Sequence, residues 1–203
     1  MMYTGRMKHV PFIAFIAAAV LAATPYMEYM RSTRNLPTPQ VLTRQIKEEF
    51  GKPSPDHARI IELNNTMLSN KVYIFQYETY YNLAQCHTAL TNYAAARSNY
   101  ISSIHFDFRK TEGYELLKDN PTMIELNKFD IFYNFYNVKR ADIALSYMQF
   151  LLDVMSNTGE AISVAEFYIT SLKKEPIPPL FKSMETAPAY KKIAERLLQL
   201  KKD

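Results

Sequence analysis

Residues 80–104 place small and aromatic side chains at the spacing that two antiparallel helices need in order to pack closely. Ala84 lies four residues after Tyr80 and three before His87, so the three share one face of a helix. Thr91–Asn92 then interrupts the periodic pattern, as turn residues do. A matching face on the second helix consists of Ala96, Tyr100 and Ser103. The segment therefore predicts a helical hairpin.

This hairpin resembles a tetratricopeptide repeat, whose pattern combines an aromatic, a leucine and a small residue on the first helix with small and aromatic residues on the second. The sequence departs from that pattern at His87 (usually Tyr), at Thr91 (usually Gly) and at Phe108, where a closing Pro is common. The resemblance implies paired helices that bind other proteins. The repeat-packing positions are held by Tyr80, Leu83, Ala84, His87, Ala96, Tyr100 and Ser103.

A weaker second copy of the pattern is predicted around residues 136–152. There Ala144, Met148 and Leu151 align with the second-helix positions of the repeat. Phe132 stands where the first helix should carry a small residue, so the two helices would have to pack more loosely or in another register.

The composition favours an all-α fold. The chain has 203 residues, 48% of them apolar, which is enough to fill the core of one ordinary domain. It contains four Gly and no Trp, against fifteen Tyr and twelve Phe, which favours helices over a turn-rich β sandwich. The single cysteine, Cys86, excludes an internal disulfide and is interpreted as a buried structural thiol.

The N-terminal segment is predicted to be a single transmembrane helix. Val10–Ala23 is a run of fourteen apolar or proline residues, at the short end of the length that can span a bilayer. Ala14, Ala18 and Ala22 recur every four residues and predict a stripe against which another membrane helix could pack. Lipid contacts are expected along this anchor.

Two other interpretations of this segment remain open. In the first, Arg6, Lys8 and His9 begin a cleaved signal peptide with a cleavage site at residues 20–22. In the second, the basic residues and the absence of acids before Glu28 form a mitochondrial targeting signal. A single apolar run suits an uncleaved anchor better than an amphipathic presequence.

The rest of the chain divides into a connector, a helical domain and a C-terminal piece. We expect the anchor at 1–30, a proline-containing connector with a short amphipathic helix at 31–58, the tetratricopeptide-like domain at 59–175, and a proline-rich turn with a basic amphipathic helix at 176–203. After a short helix ending at Phe50 and another capped by Asp56, the predicted helices are 71–90, 93–105, 112–118, 122–137, 141–155 and 160–173.

The net charge of +4 belongs to the C-terminal end, because residues 173–203 contain eight basic and four acidic residues. A solvated helix face is one interpretation, and an acidic partner or anionic lipid is the other. Nucleic acid is not expected, because basic and aromatic residues do not interleave in a recognisable binding module.

The sequence contains no catalytic or metal-binding motif. His9, His57, His87 and His105 are scattered and none lies in an HExxH motif. The four glycines are too dispersed for a phosphate-binding loop, and Glu48, Glu49 and Asp119 are expected to be ordinary solvated carboxylates. We therefore expect no enzyme activity, no cofactor, no metal and no small-molecule substrate.

The aromatic residues exceed what one helix face can bury, which predicts that some of them contact a partner. The candidates are Tyr73, Tyr77, Phe132 and Tyr136.

Two membrane-bound functions fit these features, and a soluble secreted helical protein with its leader retained is a third class. The first is a non-catalytic accessory or scaffold subunit of a multi-subunit complex of the mitochondrial inner membrane, such as a respiratory complex or ATP synthase, with its anchor and aromatic helices buried against other subunits. The alternative is an import receptor of the mitochondrial outer membrane, whose tetratricopeptide-like groove binds peptides. The inner membrane is favoured.

Overall fold

The computed structural model describes residues 37–70, 75–119, 128–174 and 188–202, with the side chains of 116–117, 128–138, 171–174 and 188–189 left out. Within these ranges the fold is all-α, as predicted, and contains no strand. None of the helices in the described ranges is long and apolar enough to cross a membrane. The predicted anchor, including Ala14, Ala18 and Ala22, lies outside the described residues.

Among the described residues, eight α-helices follow one another, with a single 3₁₀ turn at Phe108–Lys110. They are α1 (Pro39–Phe50), α2 (His57–Ser69), α3 (Gln76–Ala89), α4 (Tyr93–Ile104), α5 (Glu112–Leu117), α6 (Lys128–Asp153), α7 (Thr158–Lys174) and α8 (Pro188–Leu200). Each of α1 to α4 packs against its neighbour in sequence, α4 packs against α6, and α8 packs against both α6 and α7.

Side-chain caps fix the start of the first two helices. Pro39 occupies the first turn of α1, where its missing N–H costs nothing, and the Thr38 hydroxyl accepts from the amide of Val41. Asp56 caps α2 by accepting from the amide of Arg59 at 3.0 Å, as predicted from the sequence. The short amphipathic helix predicted within the connector therefore begins at Pro39.

The connection between α1 and α2 contains a buried carboxylate that the sequence analysis placed in solvent. Glu49 is only 9% exposed, so the expectation of an ordinary solvated group is wrong for this residue. Its carboxylate accepts from the Lys52 ammonium at 2.5 Å and from the amide of Asp56 at 3.1 Å. These hydrogen bonds hold the pKa of Glu49 below its usual value. Glu49 therefore ties the end of α1 to the cap of α2.

The turn between α3 and α4 closes with a threonine in the left-handed region. Thr91 has φ 59°, and the amide of Asn92 donates back to the carbonyl of His87 at 2.8 Å, which ends α3. Asn92 then caps α4 by accepting from the amide of Ala95. A β-branched residue in this conformation costs on the order of 1–2 kcal/mol, which glycine would avoid.

The turn between α6 and α7 uses the same chemistry. Ser156 has φ 50°, and the Asn157 side chain accepts from the amide of Glu160 at 3.0 Å. In both turns a hydroxyl residue with positive φ precedes an asparagine cap. The two hairpins therefore share one way of reversing the chain.

One long helix replaces two predicted ones. The sequence analysis predicted separate helices at 122–137 and 141–155, but α6 runs without a break over 26 residues from Lys128 to Asp153. No Gly or Pro occurs in this stretch, so nothing in it ends a helix.

The predicted second repeat around residues 136–152 is therefore wrong as a hairpin, since no turn occurs there. Ala144, Met148 and Leu151 are fully buried, but they lie on α6, which is the first helix of a pair with α7. The physical reason is that periodic apolar residues show which face of a helix is buried. They do not show which other helix packs on that face.

Candidate functional site

Several of the predicted repeat-packing residues lie where α3 and α4 pack against each other. Ala84 and Ala96 are 0% exposed and belong to the same core cluster, where their small side chains allow the two helices to approach. The Ser103 hydroxyl donates to the carbonyl of Tyr77 at 2.7 Å, which joins the far ends of the two helices. Leu83 and Tyr100 are buried, and Tyr80 and His87 are half-buried. These residues build the hairpin and leave little surface for a ligand.

Aromatic stacking joins this hairpin to α6. The rings of Tyr100 and Tyr147 lie 5.0 Å apart between centroids and 16° from parallel, and the Phe150 ring lies 5.4 Å from that of Tyr100. Beside them, the hydroxyls of Tyr81 and Ser146 form a hydrogen bond of 2.9 Å. The sequence analysis did not single out Tyr147 or Phe150, although their spacing of three residues on one helix face was a usable signal.

A polar network beside this stack connects three helices. The Tyr147 hydroxyl donates to Glu160 Oε1 at 2.5 Å, and Arg97 Nε donates to the two oxygens of the same carboxylate at 2.9 and 3.1 Å. Asn157 Nδ2 adds a hydrogen bond of 3.0 Å to Oε2. Glu160 of α7 is therefore held by Arg97 of α4 and Tyr147 of α6.

The pKa shifts of Glu160 and Tyr147 fit a structural role for this network. Burial raises the pKa of Glu160, but the hydrogen bonds from Arg97 and Tyr147 outweigh it and leave the pKa below its usual value. Burial, together with the neighbouring Glu160, raises the pKa of Tyr147 well above its ordinary value. At neutral pH Glu160 is therefore ionised and Tyr147 is protonated, and both favour the hydrogen bond they share.

Cys86 is a packing residue. It is 0% exposed and lies in a second core cluster with residues of α1 and α2, including Leu42, Ile60 and Met67. Burial raises the pKa of its thiol to about 12, so the nucleophilic thiolate is scarcely populated at neutral pH. Over the described part of the chain, no group of three or more His, Cys, Asp or Glu residues is placed to hold a metal ion.

A cleft of about 400 Å³ opens between α1, α2, α3 and α6 and is the first candidate for a binding site. Its walls carry the amides of Asn64 and Asn82, with Asn82 Nδ2 donating to Asn64 Oδ1 at 3.3 Å. Lys47 and Lys139 also line it, and neither forms an ion pair with another described residue. Amides and free ammonium groups could bind the carbonyls and carboxylates of a polypeptide segment.

The predicted interface aromatics are not collected in one place. Tyr77 is 3% exposed and packs edge-on against Phe75 in the core, with only a small part of it lining the cleft. Tyr73 and the side chains of Phe132 and Tyr136 lie outside the described residues.

A second candidate is an exposed apolar surface at the two hairpin turns, called the turn surface below. It comprises Leu90 and Tyr93 at the first turn, exposed by 48% and 38%, and Val154 and Met155 at the second, exposed by 37% and 38%. The Tyr93 ring lies 6.1 Å from that of Phe150, which places the two turns side by side. The sequence analysis missed this surface, because two turns that are adjacent in space are more than sixty residues apart in the chain.

Neither the cleft nor the turn surface can be interpreted through a relative, because no family model, no curated protein and no solved structure matches this chain.

Proposed function

We propose that this protein is a non-catalytic scaffold that holds other polypeptides, acting as an accessory subunit of a larger complex. The observation that carries the proposal is the turn surface, where four large apolar side chains from two hairpins stand exposed together. Several large apolar side chains exposed near one another are characteristic of protein interfaces. A permanent neighbour would remove it from water, which stabilises an assembly by roughly 25 cal/mol for each Å² of apolar area buried.

The proposed location in a mitochondrial membrane is supported by the sequence alone. The apolar run Val10–Ala23 supports a membrane anchor, and the basic residues before it support a mitochondrial membrane, with the inner membrane preferred. A respiratory complex or ATP synthase would supply the neighbouring subunits.

The cleft supports a second function, that of an import receptor of the mitochondrial outer membrane. Its paired amides suit transient contacts to the backbone of an extended peptide. In this alternative the turn surface would be incidental.

Native electrophoresis distinguishes the two functions. A tagged full-length chain extracted in mild detergent is expected to migrate with a complex several times its own 23.6 kDa mass, because a permanent subunit stays bound when lipids are removed. Migration as a free chain that binds presequence peptides would contradict the scaffold function and support the receptor.

A further inference from the structure

The C-terminal helix forms one wall of a groove that is separate from the cleft and from the turn surface. The groove has a volume of about 280 Å³ and lies between α8 and the side of α6 that faces away from α4. Its floor is apolar: Met148 is fully buried, and Leu145 and Leu152 are half-buried. These residues span two turns of α6, about 10 Å of its length.

The wall of the groove carries two positive charges that have no acidic partner among the described residues. Lys192 and Arg196 lie one turn apart on α8, line the groove and are exposed. Neither forms an ion pair with a described residue, and the Arg196 guanidinium donates only to the neutral amide of Gln199 at 3.3 Å. A ligand that carries carboxylates next to an apolar stripe would complement these two cations and the apolar floor beside them.

The position of these cations on α8 distinguishes them from the other basic residues of the helix. Ile193 is the buried contact of α8, and at about 100° per residue Lys192 and Arg196 lie to one side of it while Lys201 lies to the other. Lys201 is already paired, with Glu166 of α7 at 2.6 Å. Lys191 and Lys202 lie about opposite Ile193, facing solvent.

We infer that this groove binds an acidic amphipathic helix of a partner protein, about two turns of which lie on the half-buried Leu145 and Leu152, above the fully buried Met148. Apolar side chains of the partner pack on the floor, and its glutamate or aspartate side chains pair with Lys192 and Arg196. The inference rests on the proposed scaffold function, and it names the chemistry of one of the polypeptides held.

A partner helix fits this groove better than a layer of anionic lipid does. Asp153 also lines the groove and is exposed. A continuous layer of negative headgroups would place negative charge next to the Asp153 carboxylate, and the repulsion between like charges would weaken lipid binding. A peptide can place its carboxylates only where the cations are.

The test uses a fluorescent, end-capped 16-residue peptide with leucines at helical spacing and glutamates flanking them. Its matched control carries glutamine in place of every glutamate. Binding to the full-length chain in neutral detergent is measured by fluorescence anisotropy. The glutamate peptide is expected to bind at least about tenfold more tightly than the glutamine peptide, because only the former pairs with the two cations.

The chain supplies its own control variants. Lys192→Glu with Arg196→Glu is expected to weaken binding of the glutamate peptide at least about tenfold, whereas Lys191→Glu with Lys202→Glu, the same change in net charge on α8 and the turn that follows it, should leave it within about twofold. The milder pair Lys192→Gln with Arg196→Gln should give an intermediate loss, and it keeps the test valid if the charge reversal disturbs folding.

Four outcomes would overturn the inference. The two charge-reversal variants could lose binding equally, which would show attraction to net charge alone. The glutamate and glutamine peptides could bind alike. Vesicles of anionic phospholipid could bind through Lys192 and Arg196 while the peptide does not. The wild-type chain could self-associate through this face, with the Lys192 and Arg196 reversal producing monomers. The first three leave the native migration expected of a scaffold unchanged, and self-association is recognised by the monomers that the Lys192 and Arg196 reversal produces, so the two proposals fail separately.

Discussion

Replacing Tyr147 with alanine is expected to lower the free energy of unfolding by about 3–5 kcal/mol. Tyr147 is 1% exposed and its ring stacks on Tyr100, so it packs the α3–α4 hairpin against α6. The substitution leaves a cavity at that contact and also removes the hydroxyl that donates to Glu160. Urea unfolding followed by circular dichroism measures the loss.

Tyr147→Phe separates the ring from the hydroxyl. It keeps the stack and removes only one of the hydrogen bonds to Glu160, which retains Arg97 and Asn157 as partners. We expect it to cost about 1 kcal/mol. An alanine variant no less stable than the phenylalanine variant would show that the two hairpins do not pack through this ring.

Replacing Ala96 with leucine is expected to lower the free energy of unfolding by about 1–3 kcal/mol. Ala96 is 0% exposed in the interface between α3 and α4, where a larger side chain has no free space and must separate the helices or take up a strained rotamer. The same unfolding measurement reports the effect.

Ala94→Leu is the matched control, since Ala94 lies two residues away on the same helix and is exposed. Alanine and leucine have similar helix propensities, so this change should stay within about 0.5 kcal/mol. Equal effects at the two positions would mean that α3 and α4 do not meet at Ala96.

The hairpin at residues 80–104 could be predicted from the sequence because the residues that define it lie close together in the chain. Ala84 and Ala96 flank one turn, and asparagine is a strong helix cap, so spacing alone indicates which helices pair. The structure has α3 and α4 ending within one residue of the predicted limits at Ala89 and Ile104.

The contacts of α6 could not be predicted in the same way. Residues 137–140 look like a polar break between two apolar segments, and Asn137 could cap a helix, but no Gly or Pro stops the helix there. That Tyr147 stacks on Tyr100 depends on how two hairpins dock, which no local pattern encodes. The turn surface and the groove beside α8 arise from the same docking.

The scaffold function is tested most directly by comparing two paired variants in native electrophoresis of mild-detergent extracts. One carries Leu90→Gln and Met155→Gln on the turn surface, and the other carries Lys47→Gln and Lys139→Gln in the cleft; all four side chains are exposed. We predict that the turn-surface variant shifts to the free chain while the cleft variant stays with the large complex. Release of the cleft variant, with the turn-surface variant still bound, would contradict the account.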